Sequence, residues 1–336
     1  MEVERSLPTR DEINIEILYC GVCHSDLHQA RNEWKNTLYP CVPGHEIVGR
    51  VISTGRGARR CKPGDIVGVG CMIDSCGKCP SCRNAEENYC EGPVGWTATY
   101  NGYMNPRDKK FNTFGGYSSQ IVVREPFVLG IPQGLDPAAA APLLCAGVTT
   151  YSPLKHWNVG RGSKVAVVGL GGLGHIAVKL AKALGAEVTA ITSTEAKRAA
   201  ARHLGAATIL NTARKHALAR HEAAFDFVLN TIPDAYDVNQ YLKLLKRDGV
   251  LVAVGLLAPY SKPLDNAEVA FSRRSVAGSL IGSIAETREV LEFCARHKIQ
   301  PEIETITMQQ INDAYQSMTD QEVRFRYVID MQSLRS

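Results

Sequence analysis

The sequence has no uncharged apolar run of about 20 residues, so no membrane-spanning helix is expected. Its first residues, MEVERSLPTRDEINIEI, are charged and lack the apolar core of a secretory signal. Neither internal repeats nor low-complexity tracts break the chain. No charge of one sign dominates either. Lys and Arg number 38 against 34 Asp and Glu, a formal net charge of +4. A dedicated nucleic-acid surface would show a basic stripe, and none is there. These gaps predict a cytoplasmic protein without nucleic-acid or membrane partners, acting on small molecules.

What is present is ordinary globular composition, 45% apolar and 21% charged over 336 residues. That length allows roughly two domains of about 150 residues. The texture changes near residue 150. Before it, short β-like runs (INIEILYC, IVGRVIST, DIVGVGC, SSQIVVRE) alternate with Gly and Pro. After it, apolar runs such as SKVAVVG, EVTAITS and VLVAVG alternate with helical stretches such as HIAVKLAKALGA, EAKRAAARHLGA and NQYLKLLKRDG. That alternation predicts βαβ units and a parallel sheet. A helix is expected over IGSIAETREVLEFCARH. The chain then ends in IETITMQQINDAYQSM and RFRYVID, a helix and a strand that return to the first domain.

Eleven cysteines are many for a reducing compartment, where they read as metal ligands and buried thiols rather than disulfides. Four of them, Cys76, Cys79, Cys82 and Cys90, fall within fifteen positions as C-x2-C-x2-C-x7-C. Four thiolates close a tetrahedral shell around Zn²⁺ and leave no position for substrate, so this lobe braces the fold. An iron–sulfur cluster is the chemical competitor. The long last spacing and the acidic NAEENYC favour zinc.

A second set is scattered. Cys23 is followed by Ser25, Asp26 and His28; His45 precedes Glu46; Cys145 lies in APLLCAG. Two Cys and one His make the three-ligand set of a catalytic zinc with its fourth position free. Singly, Cys145 reads as a buried hydrophobe and His45 as a satisfied core histidine, so spacing alone leaves this set open.

VAVVGLGGLGHIAVKLAKALGA carries Gly169, Gly171 and Gly174 as G-x-G-x-x-G between a strand and an amphipathic helix, the context of a dinucleotide loop. The next strand, EVTAI, ends in Thr192, Ser193 and Thr194, followed by Glu195, Lys197 and Arg198. An NAD site usually ends that strand with an acid for the ribose 2′-OH. Hydroxyls with two cations suit a 2′-phosphate, so NADP is preferred to NAD.

PGHEIVGRVISTGRGA resembles the zinc signature of the medium-chain alcohol dehydrogenases. With CGVCHSDLH, the four-cysteine lobe, LLCAGVTTYSPL, GLGGLGH and GSLIGS, the chain is similar to the cinnamyl alcohol dehydrogenase branch and its bacterial aldehyde reductases over nearly its whole length. The resemblance implies an α/β chain. A β-rich GroES-like catalytic domain would span residues 1–150, with a structural zinc lobe at 71–95. A doubly wound Rossmann domain with a parallel sheet would span 151–283, and a return segment 284–336. It implies two zinc ions and NADP. Cys23, His45 and Cys145 would bind the catalytic zinc, with Glu46 its alternative ligand, and the lobe cysteines the structural one. Asp26 would orient a ligand, and Ser25 and His28 would relay a proton. His24, Thr149, Gly169, Leu170, Gly171, Gly172, Leu173, Gly174, Thr192, Ser193, Thr194, Lys197, Thr231, Gly255, Ser279, Leu280 and Ile281 would face the cofactor.

The reaction implied is hydride transfer between NADPH and a zinc-polarised aldehyde, in a homodimer joined near SVAGSLIG. Trp96 and the segment 102–114 depart from the family's substrate-pocket pattern. The rivals are an NAD-dependent polyol dehydrogenase, disfavoured by Thr192–Thr194 and Lys197; a zinc-free quinone reductase, disfavoured by the cysteines; and a non-enzymatic zinc lobe, disfavoured by the weak charge.

Overall fold

The computed structural model describes residues 2–105, 111–255, 258–320 and 325–335. The chain divides into two compact units, Met1–Val148 with Gly282–Ser336, and Thr149–Ile281.

The first unit is built on strand β1 (Glu12–Val22). Its sequence alternates, and Ile13, Ile15 and Ile17 are all buried on one face, as a half-covered antiparallel strand requires. Strands β2 (Ile47–Thr54) and β3 (Ile66–Val69) follow it. A small separate sheet pairs β4 (Met72–Asp74) with β5 (Thr97–Ala98), on either side of the cysteine lobe. Strands β6 (Gln120–Arg124) and β7 (Leu129–Gly130) complete this half. Ala141–Leu144 forms a buried 3-10 turn that leads through Cys145 into the helix Ala146–His156.

The second unit holds β8 (Lys164–Val168), β9 (Glu187–Thr192), β10 (Thr208–Asn211), β11 (Phe225–Asn230), β12 (Leu245–Ala253) and β13 (Ser275–Gly278). All pair in parallel, in the order β10-β9-β8-β11-β12-β13. That is the doubly wound Rossmann arrangement. Central runs such as VAVV and FVLN are buried on both faces, while β13 at the edge is largely open.

The chain then re-enters the first unit. The helix Ile284–His297 starts on a capping box in which Ser283 accepts from the Glu286 N–H and the Glu286 carboxylate accepts from the Ser283 N–H. Strands β14 (Ile303–Thr307) and β15 (Arg326–Asp330) follow. Strand β15 pairs with the far end of β1, Tyr19 opposite Asp330, giving a seven-stranded sheet β14-β15-β1-β2-β3-β7 with β6 also on β1.

Two elements differ from expectation. The helix read over 239–249 closes after one turn, Asn239–Leu242, and the chain is already strand at Leu245. The stretch IETITMQQINDAYQSM opens as strand β14, and its helix begins only at Ile311. Among the described residues no helix is long and apolar enough to cross a membrane.

Glu125, at the end of β6, anchors the loop that leads to β3. It is buried, and its carboxylate accepts from the backbone N–H groups of Arg59, Arg60 and Cys61 at 2.6–3.1 Å. Burial works against its charge, but those donors outweigh it and hold its pKa below the ordinary value of 4.5. A depressed folded pKa gives stability that is whole above the unfolded value and is lost as pH falls through the folded one. Glu125→Gln is therefore expected to lower stability by about 1–3 kcal/mol at neutral pH. It should also flatten the fall in unfolding midpoint below pH 4.5, which thermal melts at stepped pH will read.

Candidate metal centre and nucleotide loop

Strand β1 delivers Cys23 just before the helix His24–Ala30. Asp26, in the first turn of that helix and fully buried, accepts from the Cys23 N–H at 2.9 Å. The same carboxylate accepts from the Gly44 N–H at 2.9 Å, from His45 Nδ1 at 2.9 Å and from the Tyr117 hydroxyl at 3.2 Å. Four donors on one carboxylate fix the loop from Gly44 to Glu46 against the start of the helix. With Nδ1–H committed to Asp26, His45 offers Nε2 as a lone-pair donor. Nε2 lies 3.2 Å from Cys145 Sγ. One donor atom from each of Cys23, His45, Glu46 and Cys145 falls within 4.8 Å of the others.

This donor set fits Zn²⁺: two thiols and an oriented imidazole, with their donor atoms within 4.8 Å of one another. Glu46 is the unusual member. It is fully buried, and its carboxylate is paired with the Arg326 guanidinium, itself buried at the start of β15. The second oxygen, Oε2, has no hydrogen-bond partner. A buried, unpartnered carboxylate oxygen beside two thiols and an imidazole suits a cation by its chemistry. Burial pushes the Glu46 carboxyl up to about 7, against the pull of Arg326. A hydrogen bond from Cys145 pushes the Cys23 thiol well below its ordinary range, and the same bond pushes Cys145 up. Burial opposes a charge on His45, yet Asp26 beside it, with Cys71 and Cys23, holds its pKa well above the usual value. A metal needs those protons gone.

Cys76, Cys79, Cys82 and Cys90 form a second group within 4.8 Å. Backbone N–H groups of Lys78 and Cys79 point at Cys76 Sγ, both at 3.4 Å, and those of Cys82 and Glu91 at Cys79 Sγ, at 3.4 and 3.3 Å. The first pair brings the Cys76 thiol down to about 6, while burial pushes Cys82 up to about 12. Loops that aim several amides at sulfur suit thiolates, and the set closes on itself. Ser81 and Glu87 fasten the lobe, the first to Glu91 and the second to the N–H of Ile284.

Ser25 and His28 lie one turn apart on the helix His24–Ala30, with no hydrogen bond between them among the described residues. His28 is buried, packs at 5.7 Å from the Trp34 ring, and has Nδ1 on the Glu33 carboxylate. His24 is mostly covered, and burial lowers its pKa. Sequence reasoning missed Glu33, Arg326 and Cys71. Trp96 is buried, and the Tyr100 ring stands edge-on to His45 at 5.6 Å. Of the segment 102–114, residues 106–110 lie outside the described residues.

In the second unit, the expected cofactor residues other than Thr149 gather beyond the C-terminal ends of parallel strands, where open α/β sheets bind ligands. The loop Gly169, Leu170, Gly171, Gly172, Leu173 and Gly174 follows β8; Thr192 ends β9, with Ser193, Thr194, Lys197 and Arg198 beyond it. Thr231 follows β11, Gly255 follows β12, and Ser279, Leu280 and Ile281 follow β13. Thr149 lies instead in the helix Ala146–His156. Gly169 has φ +88°, and a Cβ on Gly174 would stand 1.9 Å from Gly169 O, so the turn and the close approach both need glycine. A Cβ on Gly171 would meet nothing within 4 Å, which leaves open space against bare backbone for a diphosphate. Thr231 Oγ1 ties the loop, donating to Val168 O at 2.8 Å. Beyond β9, Lys197 is half-buried, and burial lowers its pKa.

Residues 9–133 match the family model of the alcohol dehydrogenase GroES-like domain, and residues 172–296 that of the zinc-binding dehydrogenases. The aldehyde reductase YahK of Escherichia coli is 50% identical, over 99% of this chain and 95% of its own. An NADP-dependent alcohol dehydrogenase C of Mycolicibacterium smegmatis is 48% identical over 97% and 92%. Among solved structures, a cinnamyl alcohol dehydrogenase of Sorghum bicolor superposes with a TM-score of 0.93 at 39% identity, covering 98% and 93%. A Helicobacter pylori enzyme complexed with NADP(H) gives 0.89 at 41%, covering 98% and 92%.

Proposed function

The chain belongs to the zinc-binding alcohol dehydrogenases with a GroES-like domain, and from that premise we propose an NADP(H)-dependent alcohol dehydrogenase that reduces aldehydes. The observation that carries the reading is the convergence of Cys23, His45 and Cys145, with His45 oriented by Asp26. Cys23, His45 and Cys145 would hold a catalytic zinc, Glu46 would serve as its alternative ligand, and Cys76, Cys79, Cys82 and Cys90 would hold a second, structural ion.

When bound, zinc supplies a Lewis acid for a carbonyl oxygen, and the nicotinamide supplies or takes a hydride. The protein's own residues do the rest. Asp26 keeps His45 Nε2 facing the thiols. Arg326 balances the charge of Glu46 and leaves Oε2 free to approach the centre. Ser25 can donate to and accept from the substrate oxygen in one position. His28 takes the outer end of the relay, and Glu33, with 40% of its side chain exposed, passes a proton from water to Nδ1 as the carbonyl is reduced. The glycine loop binds the diphosphate. Thr192, Ser193, Thr194 and the half-covered Lys197 favour a 2′-phosphate over a bare ribose. The reading includes a cytosolic location and a homodimer joined through the open edge strand β13.

Two measurements test it. Purified protein should oxidise NADPH with aliphatic, cinnamyl and benzyl aldehydes, prefer it to NADH, and carry two zinc ions per chain. Inactivity across that panel with full zinc would overturn the reading. Glu33→Gln should lower kcat about tenfold with little change in KM for NADPH, and Glu33→Asp should recover most of the loss. Equal losses in kcat and nucleotide binding would point to a structural role for Glu33 instead.

A further inference from the structure

Beyond β9 an acid stands close to where dinucleotide sites place one, yet both of its oxygens are taken. Glu195 Oε1 pairs with Arg198 at 3.1 Å. Its Oε2 accepts from Asn211 Nδ2 at 3.0 Å and pairs with Arg214 at 3.2 Å. Asn211 is itself oriented. It ends β10 opposite Thr192, and its Oδ1 accepts from the Ala213 N–H at 2.9 Å, which turns the amide nitrogen toward Glu195. Arg214 sits on the same turn, its N–H donating to Asn211 O at 3.1 Å. Single exposed ion pairs contribute little, but three donors converging on one carboxylate form a network.

The consequence concerns which nucleotide the site accepts, so the inference rests on the proposed NADP reading. In an NAD site an acid past this strand takes the ribose 2′-OH, and its charge repels a 2′-phosphate. Here we propose that Glu195 is a positioning residue for nucleotide choice. Asn211 and Arg214 hold its carboxylate back from the ribose position and away from a 2′-phosphate, while Arg198 pairs with its other oxygen. The site thus keeps an acid that would favour NAD, tied down so that it favours NADP.

The test uses 2′,5′-ADP and 5′-AMP, which probe the adenosine end without zinc, nicotinamide or turnover. Dissociation constants are measured by calorimetry for the wild type, for Asn211→Ala/Arg214→Ala, for Glu195→Gln, and for the triple variant. Untying Glu195 should lower the preference for 2′,5′-ADP about tenfold in the double variant. With Glu195→Gln already in place, the same two changes should lower it no more than about twofold, the remainder being the lost positive charge. Steady-state KM for NADPH should rise in the double variant with kcat unchanged, and unfolding midpoints should stay at the wild-type value. An equal fall in both backgrounds would mean that Arg214 meets the phosphate directly, and no fall in either would mean the network is idle; each overturns the inference and leaves the NADP reading standing. A wild type with no preference for 2′,5′-ADP overturns both.

Discussion

His45→Ala is expected to lower kcat/KM for aldehyde reduction by at least about a thousandfold, the equivalent of about 4 kcal/mol of transition-state stabilisation. The imidazole is the only nitrogen among the converging donors, and it carries the link to Asp26 that fixes the whole loop. Its loss leaves two thiols and a carboxylate whose neighbour, Arg326, already claims one oxygen. Zinc per chain should fall by one. Affinity for 2′,5′-ADP should not move, because the nucleotide loop belongs to the other compact unit. Asp26→Asn gives the intermediate case: the ligands remain, but the imidazole loses its charged acceptor and one carboxylate oxygen becomes an NH₂ facing other donors, and metal affinity should fall about 10- to 100-fold. A His45→Ala protein that keeps wild-type kcat after chelation would defeat the assignment of the centre.

Cys79→Ser should act in the opposite way, on stability first. Cys79 both offers a thiol and accepts amide N–H groups from Cys82 and Glu91 at 3.4 and 3.3 Å. Closed thiolate sites contribute folding energy directly. Opening one in a chain of this size should cost about 3–5 kcal/mol, lowering the unfolding midpoint by about 4–7 °C. Zinc content should again fall by one, while turnover at low temperature should stay within about twofold of wild type. Differential scanning calorimetry with metal analysis reads both. An unchanged midpoint would remove the bracing role from the lobe.

How much of this the sequence disclosed depends on how local each device is. The clustering of the lobe cysteines was legible because all four fall within fifteen positions of the sequence. The glycine loop was legible because a strand, a tight turn and a helix follow one another within a few residues. Cys145 lies 100 positions from His45, and only the resemblance joined them. Arg326 was invisible. Nothing near it in sequence hints that β15 returns to β1 and brings it onto Glu46. Glu33 was missed for a subtler reason: it lies five positions after His28, off helical spacing. It meets His28 because the chain leaves the helix after Ala30 and folds back, the Glu33 N–H donating to His28 O at 3.0 Å. The segment 239–249 misled because Leu242, Leu244 and Leu245 fit helix and strand periods alike over so short a run.

The pairing of β15 with β1 also sets an order of events during synthesis. The unit spanning Thr149–Ile281 is contiguous, so it can emerge from the ribosome and close by itself. The other unit cannot. Its central strand waits, half of one edge unfilled beyond the stretch that β6 pairs, for residues translated after the whole Thr149–Ile281 unit, and Arg326 arrives with them. Until then Glu46 has no counter-charge. A nascent chain therefore passes through a stage in which a nucleotide could already be held while the cysteine–histidine centre is still short of its guanidinium.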